Sequence, residues 1–121
     1  MLPEAYLVRG GSRLSLDDIT GALADSNQAI QLNSKWPIAY VLRGHVLLRQ
    51  NKLEDALQDS EMALQLNPDN ARAYLLAGQI QQAQGKSQAA LESYRQARDL
   101  FIRDENQTDA KKVDGYIETL R

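Results

Sequence analysis

The 121-residue chain contains no cysteine. Disulfide frameworks, cysteine-based zinc sites and a cysteine nucleophile are therefore excluded, and a reducing compartment fits. Histidine is almost absent too: His45 is the only one. A histidine metal site or a Ser–His–Asp arrangement would rest on that single residue. Excess positive charge is also missing, since 14 Lys and Arg face 16 Asp and Glu for a net charge of −2. No basic footprint for nucleic acid or an anionic membrane is present. Long apolar runs are lacking as well. The longest is "AYVL" at 39–42, with "VLL" at 46–48, far short of the ~18 residues that span a bilayer. The opening "MLPEAYLVRGG" has no basic head followed by an apolar stretch, so no signal peptide is expected. A cytoplasmic or otherwise intracellular location is the expectation. Apolar residues make up 43% and charged residues 25%, which is ordinary globular usage and argues against disorder.

What the chain has in abundance is self-similarity. Laid over itself at a shift of 34, it aligns Ala5, Ala39 and Ala73, then Tyr6, Tyr40 and Tyr74, then Gly10, Gly44 and Gly78. Further columns follow at Ala22/Ala56/Ala90, Ala29/Ala63/Ala97 and Leu32/Leu66/Leu100. Six columns without an insertion define a three-copy array over roughly 3–36, 37–70 and 71–104. Each copy reads as two helices. In copy two, "PIAYVLRGHVLLRQ" begins with Pro37, which suits a first helical position. Asn51 can cap the helix that follows, "LEDALQDSEMALQL". "NPDN" is a turn signal. A glycine inside a helix costs about 1 kcal/mol against alanine, so its recurrence points to close helix approach. Gly44 should meet Ala56, and Ala63 should let the next copy stack. The tyrosine column reads as packing at the start of each first helix.

The ends differ from the middle. "RGGSRLS" at 9–15 carries adjacent glycines, and Arg13 falls where copy two has Leu47. The first helix is expected to be frayed or short. A worn edge copy, a hinge or a join to upstream repeats are the readings. At the other end, the second helix of copy three should run to about Asp104, with "ENQT" as a break. A capping helix over about 108–121 follows, with Val113, Tyr116, Ile117 and Leu120 as an apolar stripe. The stripe should cover the open side of copy three. The whole chain, 1–121, reads as a single helical-repeat domain.

The spacing of Tyr40, Gly44, Leu47, Ala56, Ala63 and Pro68 resembles the tetratricopeptide repeat, a 34-residue helix–turn–helix unit. The resemblance covers about 100 of the 121 residues. It implies an all-α fold: an α-solenoid of stacked antiparallel helix pairs forming a segment of a right-handed superhelix. This chain departs from the pattern where Ser34 and Ile102 stand in place of proline. It departs again where Arg9, Arg43 and Ala77 stand before the glycines, and where only Tyr94 supplies the late aromatic of the second helix. The resemblance also implies that the first helices line a concave groove holding a peptide or a helix of a partner. The residues expected there are Glu4, Leu7, Val8 and Gly11 from copy one. Copy two adds Ile38, Val41, Leu42, His45, Leu48 and Arg49, and copy three adds Arg72, Leu75, Leu76, Gln79 and Gln82. This surface is largely apolar. Tight packing in a small array, docking of the C-terminal helix, an apolar or amphipathic partner segment, and self-association each account for it. The carboxylate clamp of tetratricopeptide co-chaperones would want Lys at Leu7, Asn at Gly11 and Leu42, Lys at Arg72 and Arg at Leu76. Only Arg72 is compatible, so chaperone-tail binding is not expected.

Catalysis needs converging groups, and none converge here. Asp17 and Asp18 read as helix N-terminal charges. "RGGS" has neither a preceding strand nor a P-loop lysine. No catalytic residue, metal or cofactor is expected. The function implied is a protein–protein interaction module or assembly scaffold. The alternative is a regulatory or targeting fragment of a larger protein or enzyme. One further pairing is visible. Arg9 and Arg43 each precede an aspartate by 16 residues, Asp25 and Asp59, while copy three has Ala77 and Ser93 at the same places. The joint change suggests the structural ion pairs Arg9–Asp25 and Arg43–Asp59.

Overall fold

The computed structural model describes residues 1–121. It contains seven helices and no strand: α1 (Pro3–Ser15), α2 (Ile19–Leu32), α3 (Pro37–Arg49), α4 (Leu53–Leu66), α5 (Ala71–Ala83), α6 (Ser87–Arg103) and α7 (Gln107–Thr119). Each helix packs on its successor, and α1 also touches α3 while α3 touches α5. The first helices of the copies thus form one continuous inner layer of an α-solenoid.

Local chemistry sets the boundaries. Pro3 and Pro37 open α1 and α3, where a missing N–H is no loss. Asp18, Asn70 and Asn106 cap α2, α5 and α7 by accepting from Gly21, Ala73 and Asp109 N–H. The turns after α1, α3 and α5 place Asp17, Asn51 and Gly85 in the left-handed region, at φ 66°, 60° and 77°. Asn51 is therefore a turn residue and not the cap of α4; Lys52 holds the cap position without a side-chain bond. Asparagine tolerates a left-handed backbone better than most residues, which is its role here. The first helix is not shortened either. It spans 13 residues, as α3 and α5 do. Both Gly10 and Gly11 lie inside it, and a proline start and tertiary packing outweigh their low propensity.

The glycine column marks where copies interlock. A Cβ on Gly10 would lie 3.0 Å from Leu42 Cδ2, and one on Gly44 would lie 2.5 Å from Leu76 Cδ2. In copies one and two the glycine is thus a socket for a leucine of the following copy. Ala56 is also close, its carbonyl 3.4 Å from the Gly44 position. In copy three the socket is filled from within: the Tyr94 ring comes to 2.6 Å of the Gly78 position. Ser26 and Ser60 occupy the tyrosine's place in the other copies, where their hydroxyls donate to Leu23 and Leu57 carbonyls. Ala110, on α7, stands where Leu42 and Leu76 stand. Helix α7 lies on α6 and buries Val113 and Ile117 against Ala90, Tyr94, Ala97 and Phe101. Tyr116 stacks on Tyr94 at 5.6 Å between centroids. The stripe on α7 covers copy three and leaves the inner layer of copies one and two uncovered.

Candidate functional site: a groove on the inner layer

Helices α1, α3 and α5 enclose one mainly apolar cavity of about 340 Å³, lined by Leu7, Gly11, Ile38, Val41, Leu42, His45 and Arg72. Leu7 and Gly11 sit one turn apart on α1. Ile38, Val41, Leu42 and His45 follow the i, i+3, i+4, i+7 spacing on α3, so one face of that helix forms the floor. Ile38 is 47% exposed. Val41 and Leu42 serve two purposes, since Val41 belongs to the buried core and Leu42 reaches the Gly10 socket. Arg72 opens α5 at the rim. Its guanidinium donates to Asp109 of α7 over 3.4 Å and stays mostly in solvent. Burial, and then the Arg72 charge, lower the pKa of His45 below its ordinary 6.5. The imidazole is neutral at pH 7, and Arg72 is the cavity's one cation.

The remaining residues expected in the groove lie elsewhere. Leu76 is fully buried in the Gly44 socket and cannot meet a partner. Val8, one copy earlier in the same column, has no socket before it and points off the edge of the array, 71% exposed. Leu48 packs on the central core. Leu75 packs on the C-terminal cluster under α7. Arg49 is paired with Asp17 in the turn after α1. Gln79 is half-buried, with its carbonyl oxygen enclosed and unpartnered, and Gln82 accepts from the Tyr94 hydroxyl. Glu4 is exposed on α1 outside the cavity wall.

The arginines before the glycines stand on the far side of α1 and α3. Arg43 grips Asp59 with Nε and Nη2, both at 2.8 Å. Arg9 grips Asp25 in the same fork at 2.9 and 2.7 Å. Each guanidinium also lies over the ring of the tyrosine three residues earlier, at 5.6 Å for Arg9 on Tyr6 and 5.7 Å for Arg43 on Tyr40. The Arg9 bond, against the cost of burial, holds the Asp25 carboxyl below its usual range. Asp25 receives a second cation, Arg13, at 3.1 Å. In the sequence Arg13 stood out only as the counterpart of Leu47 in copy two. In copy three, Ser93 and the Gln81 amide lie within 2.6 Å, so a neutral bond replaces the ion pair.

The arrangement offers shape and one positive charge. No group of three or more His, Asp or Glu side chains is set to hold a metal ion. No helix is long and apolar enough to cross a membrane.

Comparison with known proteins agrees with this geometry. No curated protein matches the sequence. Among solved structures, the TPR2B domain of yeast Sti1 in complex with pHsp70 is similar with a TM-score of 0.89 at 21% identity, over 98% of this chain and 94% of that one. The Arabidopsis OM64 TPR domain is similar with a TM-score of 0.81 at 21% identity, over 97% and 94%. PcrH in complex with the chaperone binding region of PopD is similar with a TM-score of 0.85 at 15% identity, over 97% and 89%. At these identities the likeness establishes the fold. Two family models match the sequence itself, a TPR repeat over residues 44–85 and a tetratricopeptide repeat over 71–100. With a 34-residue period, interlocked helix pairs and both matches, the chain belongs to the tetratricopeptide-repeat family.

Proposed function

We propose that the chain is a non-catalytic protein-interaction module whose inner groove takes an apolar side chain from a peptide or amphipathic helix. The observation that carries this reading is the cavity between α1, α3 and α5, with four apolar walls and a single cation at its rim. A cleft of this size accommodates one large aliphatic or aromatic group, and a helix or extended segment laid along α3 would present it. The Sti1 and PcrH structures are complexes with pHsp70 and with a region of PopD, so this fold accommodates protein ligands in other chains. The partner here is of a different kind from a free carboxylate tail. Leu7, Gly11, Leu42 and Leu76 offer no charged or amide donor to an anion, and an apolar floor leaves such a group unpaired.

The test is affinity selection from a displayed random-peptide library on the wild-type chain, followed by titration of the recovered peptides. A consensus holding one large apolar residue is expected. Ile38→Glu puts a charge at the mouth of the cavity on a half-exposed residue, so the fold is retained, and affinity should fall about tenfold or more. Equal binding by both chains, or a consensus without a large apolar residue, overturns the reading.

A further inference from the structure

Gly11 differs from every other glycine of the first helices. A Cβ on Gly10, Gly44 or Gly78 would press on a neighbouring side chain, but one on Gly11 would meet nothing within 4 Å. Glycine inside a helix costs stability against alanine, and here no packing offsets the cost. Gly115 is equally open, but it stands exposed on α7. Gly11 is half-buried and forms part of the groove wall. At the same place in the repeat, copies two and three carry His45 and Gln79. The cavity thus includes the place of a side chain that copy one leaves out, and His45 lines the same space.

The His45 imidazole is the one polar group among the inner walls. No group of the protein hydrogen-bonds to it, and only burial and the Arg72 charge act on it. A leucine or phenylalanine laid over it would strip its water and give no bond in return, which costs affinity. A tyrosine supplies that bond. Its hydroxyl both donates and accepts, so it suits either tautomer of a neutral imidazole, whereas an indole N–H can only donate. The chain's own tyrosines show each contact such a ring would make. Tyr94 lies against Gly78 and donates its hydroxyl to Gln82 over 2.7 Å. Tyr6 and Tyr40 lie under the guanidinium groups of Arg9 and Arg43.

Charge sets the neighbour of the anchor. No acidic residue lines the cavity. Arg72 at its rim is 61% exposed, and its link to Asp109 is long at 3.4 Å. Asp109 has a shorter bond, 2.7 Å, from the Asn106 amide, and Lys112 stands 3.8 Å away. Two cations against one carboxylate leave the rim positive, which complements an acidic side chain on the partner. We infer that the groove takes a tyrosine from an internal segment of a partner protein, with its ring against Gly11, its hydroxyl on His45 and an adjacent Asp or Glu on Arg72. This rests on the groove reading above and supplies the chemistry of the anchor.

Selection of a displayed random-peptide library on the full chain tests it, with each peptide flanked on both sides by the display scaffold so that no free carboxylate end is offered. A consensus of tyrosine with Asp or Glu beside it is expected. A leucine, isoleucine, methionine or phenylalanine consensus overturns this inference and leaves an apolar anchor standing. A consensus without a large apolar or aromatic residue, or no enrichment, overturns both. The recovered peptide and its Tyr→Phe counterpart are then titrated onto wild type and His45→Leu. On wild type the phenylalanine peptide should bind about fivefold more weakly, and on His45→Leu the two should bind alike. Gly11→Leu should weaken the tyrosine peptide about tenfold or more while melting no lower than wild type. A Tyr→Phe ratio unchanged by His45→Leu, or full affinity in Gly11→Leu, overturns the inference.

Discussion

Arg43 shows how much a single side chain can couple. It forks onto Asp59 of the neighbouring helix, covers the Tyr40 ring, and reaches Asn27 of the preceding copy at 3.2 Å. Asp59 is almost wholly buried. Removing the guanidinium leaves a charged acceptor in the interface without its donor. Arg43→Ala should therefore cost about 2–3 kcal/mol of unfolding free energy in urea titration, and Asp59→Ala a similar amount. The double variant should cost clearly less than the sum of the two, a coupling of about 1–2 kcal/mol. Strict additivity would show that the fork contributes nothing beyond two separate side chains. The pairing could be read from the sequence because both members change together in copy three. Arg13 could not be read that way. Its place in the column is a leucine in copy two and a glutamine in copy three, and only the fold brings it to the same carboxylate.

At the scale of the element, helix pairing turns on what meets each glycine. Gly44 faces the tip of a leucine, whereas Gly78 faces the flat of a tyrosine held by its hydroxyl and by the Tyr116 ring. A leucine end can swing for about 0.5–1.5 kcal/mol, close to the ~1 kcal/mol that alanine gains in a helix interior. A locked ring cannot swing. Gly44→Ala should thus lie within about 0.5 kcal/mol of wild type, while Gly78→Ala should lose about 1–2 kcal/mol through overpacking. Gly115→Ala, with nothing near it, should gain up to about 1 kcal/mol. Thermal denaturation of the three variants checks the order, and a Gly78 variant as stable as the Gly44 variant would contradict it. The helices themselves were legible from the 34-residue period, and α3 began and ended where the proline and the apolar pattern put it. Two things were not. The glycines of "RGG" suggested a frayed first helix, because propensity ignores the packing that holds α1. The groove list mixed Leu7 and Ile38, which only line the cavity, with Leu42, which also fills a socket, and Leu76, which only fills one. Those positions share a helical face pattern, and whether a residue meets solvent or a socket depends on the next copy in space.

The whole molecule is a stack with unlike ends. Copies contact mainly their neighbours, so stability sums over units and interfaces, and an end with one neighbour opens most readily. Helix α1 has α2 and α3 beside it and nothing outside, whereas α6 is covered by α7. Native-state hydrogen exchange in dilute solution should find α1 amides exchanging through the lowest-energy opening and α4 to α6 through the highest. Uniform protection from α1 to α6 would mean that the three copies unfold as one block.

The filling of the Gly78 space bears on how a joint between helix pairs can be built in two ways. The volume that a following copy would bring as leucine is supplied in advance by the second helix of the last one, as tyrosine, and the next helix carries Ala110 in return. Bulk has moved across the junction while the total stays nearly constant. The packing of the joint is thereby set locally, by one pair of side chains. A chain with serine at 94 and leucine at 110 would fill the same space from the other side, as Leu42 and Leu76 fill the joints at Gly10 and Gly44.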